Sequence, residues 1–205
     1  MERKEEYVKA LQMLLPQGQI PSASNGQYIL KWIEEKLKIL EDKSLTSGQP
    51  FDKNNFESFK REITQNFKTI VTINVKEAIR IVDLRFGANH KDIIDQLARD
   101  PQEQLLYLDT LLEKQGNHIQ DTIRCYIQES LNPIEAKKCI EILKLHLRLS
   151  CQIRPDHVIA LIEKIVGKSS YYPIEDCLLI CQEFRQIEAI FLLSKKLGKY
   201  YDSVS

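Results

Sequence analysis

The chain has 205 residues, 43% of them hydrophobic and 28% charged, a balance typical of a globular protein that excludes global disorder. Its 29 basic and 29 acidic side chains cancel to a formal charge of zero, which argues against a phosphate-binding surface, and so against nucleic acid, as its main business. No apolar run is long enough to cross a bilayer, and the charged, amphipathic MERKEEYVKALQMLL lacks the basic, apolar, small-residue order of a secretory signal.

Helical periodicity recurs along the chain and almost nothing reads as strand. Residues 4–15 place Tyr7, Val8, Leu11 and Leu15 on one face. The proline, glycine and serine of 16–26 predict a loop. A second helix follows over 27–41, carrying Ile29, Leu30, Ile33, Leu37 and Leu40, and 43–55 predicts another loop. Phe56, Phe59, Ile63, Phe67 and Ile70 mark one continuous stripe. Asn74 and Glu77 then resemble a capping box, with Val75, Ala78, Ile79 and Val82 behind them and Gly87 as the stop. A short helix over Ile93, Ile94 and Leu97 completes this part.

One device then repeats. DPQE (100–103), NPIE (132–135) and YPIE (172–175) each predict proline at the first helical position with a glutamate near the positive end of the helix dipole. RPDH (154–157) is a looser relative. Gly116, Gly167 and Gly198 are read as helix ends. Starts about 32 and 40 residues apart are what stacked helical hairpins produce, because no hairpin buries its apolar face alone (roughly 20–45 residues per repeat). The expected fold is all-α, an α-solenoid, with 1–50 as flanking helices and loops and 51–205 as the repeat segment. A compact helical bundle stays open on periodicity alone.

Few residues offer chemistry. Cys177 and Cys181 stand one turn apart and could ligate zinc, but His146 and His157 fall on other helices and no second cysteine pair completes the set. Both lie on the stripe of Ile174, Leu178 and Phe184, so core packing is the simpler reading. Cys151 and His157 could form a nucleophile and base, yet no glycine-rich oxyanion turn accompanies them, and His157 is expected exposed in a first helical turn. No phosphate-binding glycine pattern is present. Tyr171 and Tyr172 beside Lys168 are the best local candidate for a surface contact, against an ordinary inter-helix turn. The five cysteines, including Cys125 and Cys139, are read as reduced thiols of a cytosolic protein. No catalytic, cofactor-binding or metal-ligating residue is assigned, and no small-molecule substrate is expected.

The stretch 145–203 carries a recognisable pattern: Leu145, Leu149 and Cys151; Pro155, Asp156 and Val158; then, after Tyr171, Ile174, Glu175, Leu178, Ile180, Cys181, Gln182 and Phe184; and last Ala189, Leu192, Leu193, Gly198 and Tyr200. It resembles the clathrin-heavy-chain-type repeat region of vacuolar protein sorting subunits. Residues 75–113, notably Gln104, Tyr107 and Leu108, are similar to the preceding repeats. The resemblance covers roughly 55–205. It implies a non-catalytic scaffold in an endosomal or vacuolar tether of the CORVET type, cytoplasmic and peripheral to those membranes, with other class C tether subunits as protein partners. HOPS-type tethers and clathrin share much of the pattern. The β-propeller and zinc-binding RING finger of longer family members are not visible in these residues, and Ser203 stands where a small residue opens the next repeat, so the resemblance reads the chain as a solenoid segment interrupted between hairpins. Outside this class, a small helical thiol-dependent regulator is the competing expectation, and a nucleic-acid-binding helical repeat is disfavoured by the neutral charge.

Overall fold

The computed structural model describes residues 6–15, 21–46, 53–86, 90–127, 133–167 and 173–198. Those residues are all-α, as the periodicity requires: eleven α-helices and two single 3-10 turns, with no strand among them. Gly87, Asn132, residues 168–172 and those beyond Gly198 lie outside the described residues, and with them the expected surface contact at Lys168, Tyr171 and Tyr172. No described helix is long and apolar enough to cross a membrane. The chain divides into two compact units, Met1–Tyr107 and Leu108–Ser205.

The first unit contains α1 (Glu6–Leu14), α2 (Ala23–Thr46), α3 (Lys53–Gln65), α4 (Phe67–Ile73), α5 (Val75–Arg85) and α6 (His90–Gln96). It also holds a 3-10 turn at Leu97–Arg99 and the start of α7 (Pro101–Ile127). Its core is the stripe read from the sequence: Leu11, Ile33, Leu37, Phe59, Ile63, Phe67 and Ile79 are fully buried. Full burial of side chains this size is worth about 1.5–3 kcal/mol each before the entropy of ordering them. Trp32 meets the Phe59 ring edge-on at a centroid distance of 6.0 Å.

The predicted loops are shorter than expected. Helix α2 begins at Ala23 and runs to Thr46, taking residues from both. Gly26 therefore sits inside a helix, and the reason is close approach: a Cβ there would lie 2.6 Å from Ile73 Cγ2. The length of α2 is used electrostatically. Arg80 of α5 donates to both carboxylate oxygens of Glu34 at 2.6 and 2.5 Å, and to Glu77 at 2.8 Å. This bidentate hydrogen bond holds the Glu34 carboxyl below its ordinary range against the opposing effect of burial.

The stripe from Phe56 to Ile70 is split between α3 and α4 at Asn66, whose Nδ2 donates to the Glu62 carbonyl at 2.9 Å. Asn74 caps α5 as expected, accepting from the backbone N–H of Lys76 and Glu77 at 3.1 and 3.2 Å. The reciprocal half of a capping box, Glu77 accepting from the Asn74 N–H, does not form: that N–H donates to the Ile70 carbonyl at 3.2 Å, and the Glu77 carboxylate accepts from Arg80 Nε.

In the second unit, α7 is followed by α8 (Pro133–Ile153), a 3-10 turn at Pro155–His157, α9 (Val158–Gly167), α10 (Ile174–Glu183) and α11 (Ile187–Lys196). Helix α10 packs on α8 and α11, and α9 packs on α8 and α11. Leu147, Val158, Ile162, Ile180, Cys181 and Leu193 form the shared core. Pro101 and Pro133 open their helices as the repeated device predicts. Pro173 instead precedes the first residue of α10, so the third copy starts one position later. Gly116 does not end a helix; it lies within α7. Gly198 does follow a helix end, with φ at +71° and its N–H on the Lys195 carbonyl. The turn between α10 and α11 is a Schellman motif built on Arg185 at φ +55°: Gln186 N–H donates to the Cys181 carbonyl at 2.9 Å and Arg185 N–H to Gln182 at 3.1 Å.

Candidate functional site

One buried polar network, one half-buried one and one thiol cluster stand out against the apolar cores. In the first unit, Asp83 accepts from His90 Nε2 at 2.9 Å, and His90 Nδ1 lies 2.8 Å from the Tyr107 hydroxyl. A carboxylate can only accept, which places the proton on Nε2; in the neutral ring Nδ1 then accepts the phenolic proton. Burial, with the Asp83 charge adding to it, pushes the Tyr107 phenol well above its usual value. The tyrosine side chain is fully buried and serves as a neutral donor. Tyr107→Phe should cost about 1–3 kcal/mol, because it strands a buried ring nitrogen while leaving the packed volume nearly unchanged. Urea unfolding with a lower midpoint and an unaltered slope is the expected reading.

In the second unit a groove of about 560 Å³ opens between α7, α8 and α9. Leu112, Ile119, Leu143, Leu161 and Ile165 supply its apolar lining, and Gly116 borders open space there, a Cβ meeting nothing within 4 Å. At one end Asp109 of α7 accepts from His146 Nε2 of α8 at 2.7 Å and from Arg154 at 2.5 Å. Burial acts to raise the Asp109 carboxyl, but the hydrogen bonds from His146 and Arg154 outweigh it and hold it below its ordinary value. An Asp–His pair is the geometry of an oriented general base, yet the neighbouring hydroxyl is otherwise engaged: Ser150 donates to the His146 carbonyl at 2.8 Å. What this arrangement does well is clamp α7 to α8 at the mouth of the groove.

A carboxyl depressed in the folded state contributes stability that is present above its unfolded value, about 3.9, and is lost as pH falls through the lower folded value. Asp109→Asn should therefore destabilise the chain by about 1 kcal/mol at neutral pH, a figure reduced for the partial exposure of the pair. The difference from the parent should vanish in acid, and urea titrations from pH 7 to pH 2 would show whether it does.

The cysteines considered from sequence are placed as follows. Cys177 and Cys181 of α10 are buried, and Cys151 of α8 joins them in the same core. His157 is exposed in its 3-10 turn. Among the described residues no three His, Cys, Asp or Glu side chains form a group able to hold a metal ion. The Asp83–His90–Tyr107 and Asp109–His146–Arg154 networks were not legible in sequence; only the polar positions interrupting apolar stripes hint at them. On the surface, Ile187 and Phe191, one turn apart on α11, are strongly exposed.

The class of molecule so defined is an all-α protein whose described helices pack around apolar cores, with a wide groove on the second unit. No family model matches the chain, and no solved structure matches it. Among curated proteins it is similar to the vacuolar protein sorting-associated protein 8 homolog of Drosophila melanogaster, at 23% identity over 140 residues. That alignment takes in 68% of this chain and 10% of the fly protein, so the chain spans about a tenth of the length of the curated relative it matches. The likeness is that of a distant relation.

Proposed function

We propose that the chain is a non-catalytic α-solenoid segment of an endosomal or vacuolar vesicle-tethering subunit of the CORVET type, cytoplasmic and peripheral to those membranes. The observation that carries this reading is the distant similarity to the fly vacuolar protein sorting-associated protein 8 homolog, which takes in 68% of the chain. The helix order supports it: α8 with α9 and α10 with α11 form successive hairpins that share one core, the unit from which helical repeats are built. In the proposed organisation residues 51–205 are the repeat segment and 1–50 flank it.

The mechanism is spacing and docking. A stack of helix pairs holds the ends of a long subunit apart and presents grooves to partner helices, the partners being other class C tether subunits. The α7–α8–α9 groove is the surface on which such a helix would rest, because it joins an apolar lining to charged positions at Glu113, Lys114 and Lys164. Native affinity purification of the tagged full-length gene product tests the reading. Class C sorting subunits in the eluate support it; clathrin light chains would move the chain to a coat; recovery of the product alone would remove the tether assignment.

A further inference from the structure

Gly26 and Gly116 both lie inside helices, and only the first is explained by the packing of the chain itself. A Cβ on Gly26 would strike Ile73, whereas a Cβ on Gly116 would meet nothing within 4 Å. Glycine in a helix interior is less stable than alanine, so Gly116 weakens α7 with no compensating contact in the free chain. What a missing Cβ does provide is room for another backbone to come close.

The groove beside Gly116 has the length and lining of a helix seat. Asp109, Leu112, Glu113, Gly116, Asn117 and Gln120 recur at intervals of three and four, so one face of α7 lines it over about 16 Å, or three turns. Leu161, Lys164 and Ile165 of α9 form a second wall at the same spacing. From α8 come only Leu143 and His146, both buried. Walls made of helices have their backbone groups bonded internally and offer no edge to an extended peptide. An occupant must therefore satisfy its own backbone, as an α-helix does. Charge defines it further. Glu113 on α7 and Lys164 on α9 are exposed, and among the described residues neither has a hydrogen-bond or ion-pair partner. Asp109, by contrast, is already held by His146 and Arg154. The unmet charge is thus negative on one wall and positive on the other.

We propose that the α7–α8–α9 groove receives one amphipathic helix of a partner protein, seated over Gly116 by an alanine, glycine or serine, with a basic residue toward Glu113 and an acidic residue toward Lys164. Apolar residues at helical spacing on the partner fill the lining of Leu112, Leu143, Leu161 and Ile165. The small residue lets the two backbones approach where Gly116 has no side chain, and the flanking charges fix which way round the helix lies. The occupant, so defined, rests on the docking role proposed above but not on which complex the chain serves.

A selection from random peptides tests this without assuming the partner. The folded full chain is immobilised and panned against phage-displayed peptides of about 20 residues, enough for the three turns of the groove. Enriched sequences are then made as fluorescent peptides for anisotropy. They should carry apolar residues at helical spacing with a small residue among them, a base on one flank and an acid on the other. Circular dichroism should show them turning helical on binding. Gly116→Leu should weaken binding by about tenfold or more, while Gly116→Ala should raise the urea midpoint of the free chain. Glu113→Lys should weaken binding severalfold, and exchanging the peptide's base for an acid should restore it; Lys164→Glu with the peptide's acid is the mirror case. No enriched peptide, enriched peptides without helical spacing, or a lowered midpoint for Gly116→Ala would overturn the proposal. So would affinities that Gly116→Leu and both charge reversals leave unchanged, or binding lost on Phe191→Ser, which would place the peptide on the exposed face of α11. Should Gly116→Leu fail to fold, the charge reversals and their restored pairs decide alone. Failure here leaves the tether assignment to the affinity purification, and recovery of the product alone in that purification leaves the selection standing.

Discussion

Ala189→Asp is expected to abolish the cooperative melt of residues 108–205. Ala189 is the third residue of α11, is 2% exposed and shares its core with Val158, Ile162, Cys181 and Leu193. A carboxylate at that position enters an apolar cluster. An ion buried without a partner costs several kcal/mol after relaxation, against a typical stability of about 5–15 kcal/mol for a whole domain. One effect runs the other way: an acid in the first helical turn gains about 0.3–1 kcal/mol from the helix dipole. Burial wins by its size. The neighbouring Glu188 is exposed, so Glu188→Ala should move the transition by no more than about 0.5 kcal/mol. Circular dichroism through a thermal ramp separates the two. Lowering the pH should return part of the Ala189→Asp signal, because the protonated carboxyl is far less costly to bury. An unchanged melt for Ala189→Asp would put position 189 on the solvent side of α11 and undo the packing of α11 on α9 and α10.

The distinction between 188 and 189 was available from sequence, because helix faces follow from spacing alone. The same rule gave the apolar stripes of α3, α5, α10 and α11, and local hydrogen-bonding chemistry gave the Asn74 cap. Three features were beyond it for separate reasons. The reach of α2 through 23–46 depends on tertiary partners: Ile73 beside Gly26, and Arg80 gripping Glu34, outweigh the loop signal of Ser22, Ser24, Asn25 and Gly26. Gly116 reads as a stop because glycine is the commonest C-terminal punctuation, but inside a 27-residue helix its neighbours supply the continuity. The polar networks join residues 17 and 37 positions apart, as His90 with Tyr107 and His146 with Asp109, and no local pattern encodes such partners. The same holds for Cys151 and Cys181. Spacing put Cys177 and Cys181 on one face, whereas Cys151, which shares their core, comes from another helix.

The first unit depends on its aromatic core more than on its ion pairs, and Phe67→Ala should show it. Phe67 opens α4, is fully buried, and meets the Tyr107 ring edge-on at a centroid distance of 6.2 Å and an interplanar angle of 80°. Truncation removes the ring from contact with Tyr107, whose hydroxyl is already committed to His90 at 2.8 Å. Tyr107 therefore cannot turn into the void without breaking that hydrogen bond, which restricts collapse of the cavity. Phe→Ala changes at buried sites cost about 3–5 kcal/mol, the higher end applying where the site cannot close. By comparison, Lys91→Ala removes a solvent-screened, exposed pair with Asp95 at 2.7 Å and should leave the midpoint almost unchanged. Urea unfolding should thus show a large fall in midpoint for Phe67→Ala and almost none for Lys91→Ala. Tyr107→Phe gives the check on the reasoning: it frees the ring from His90, so Phe67→Ala in that background should cost less than in the parent chain. Strict additivity of the two changes would mean that the Tyr107–His90 hydrogen bond does not hold the ring in place.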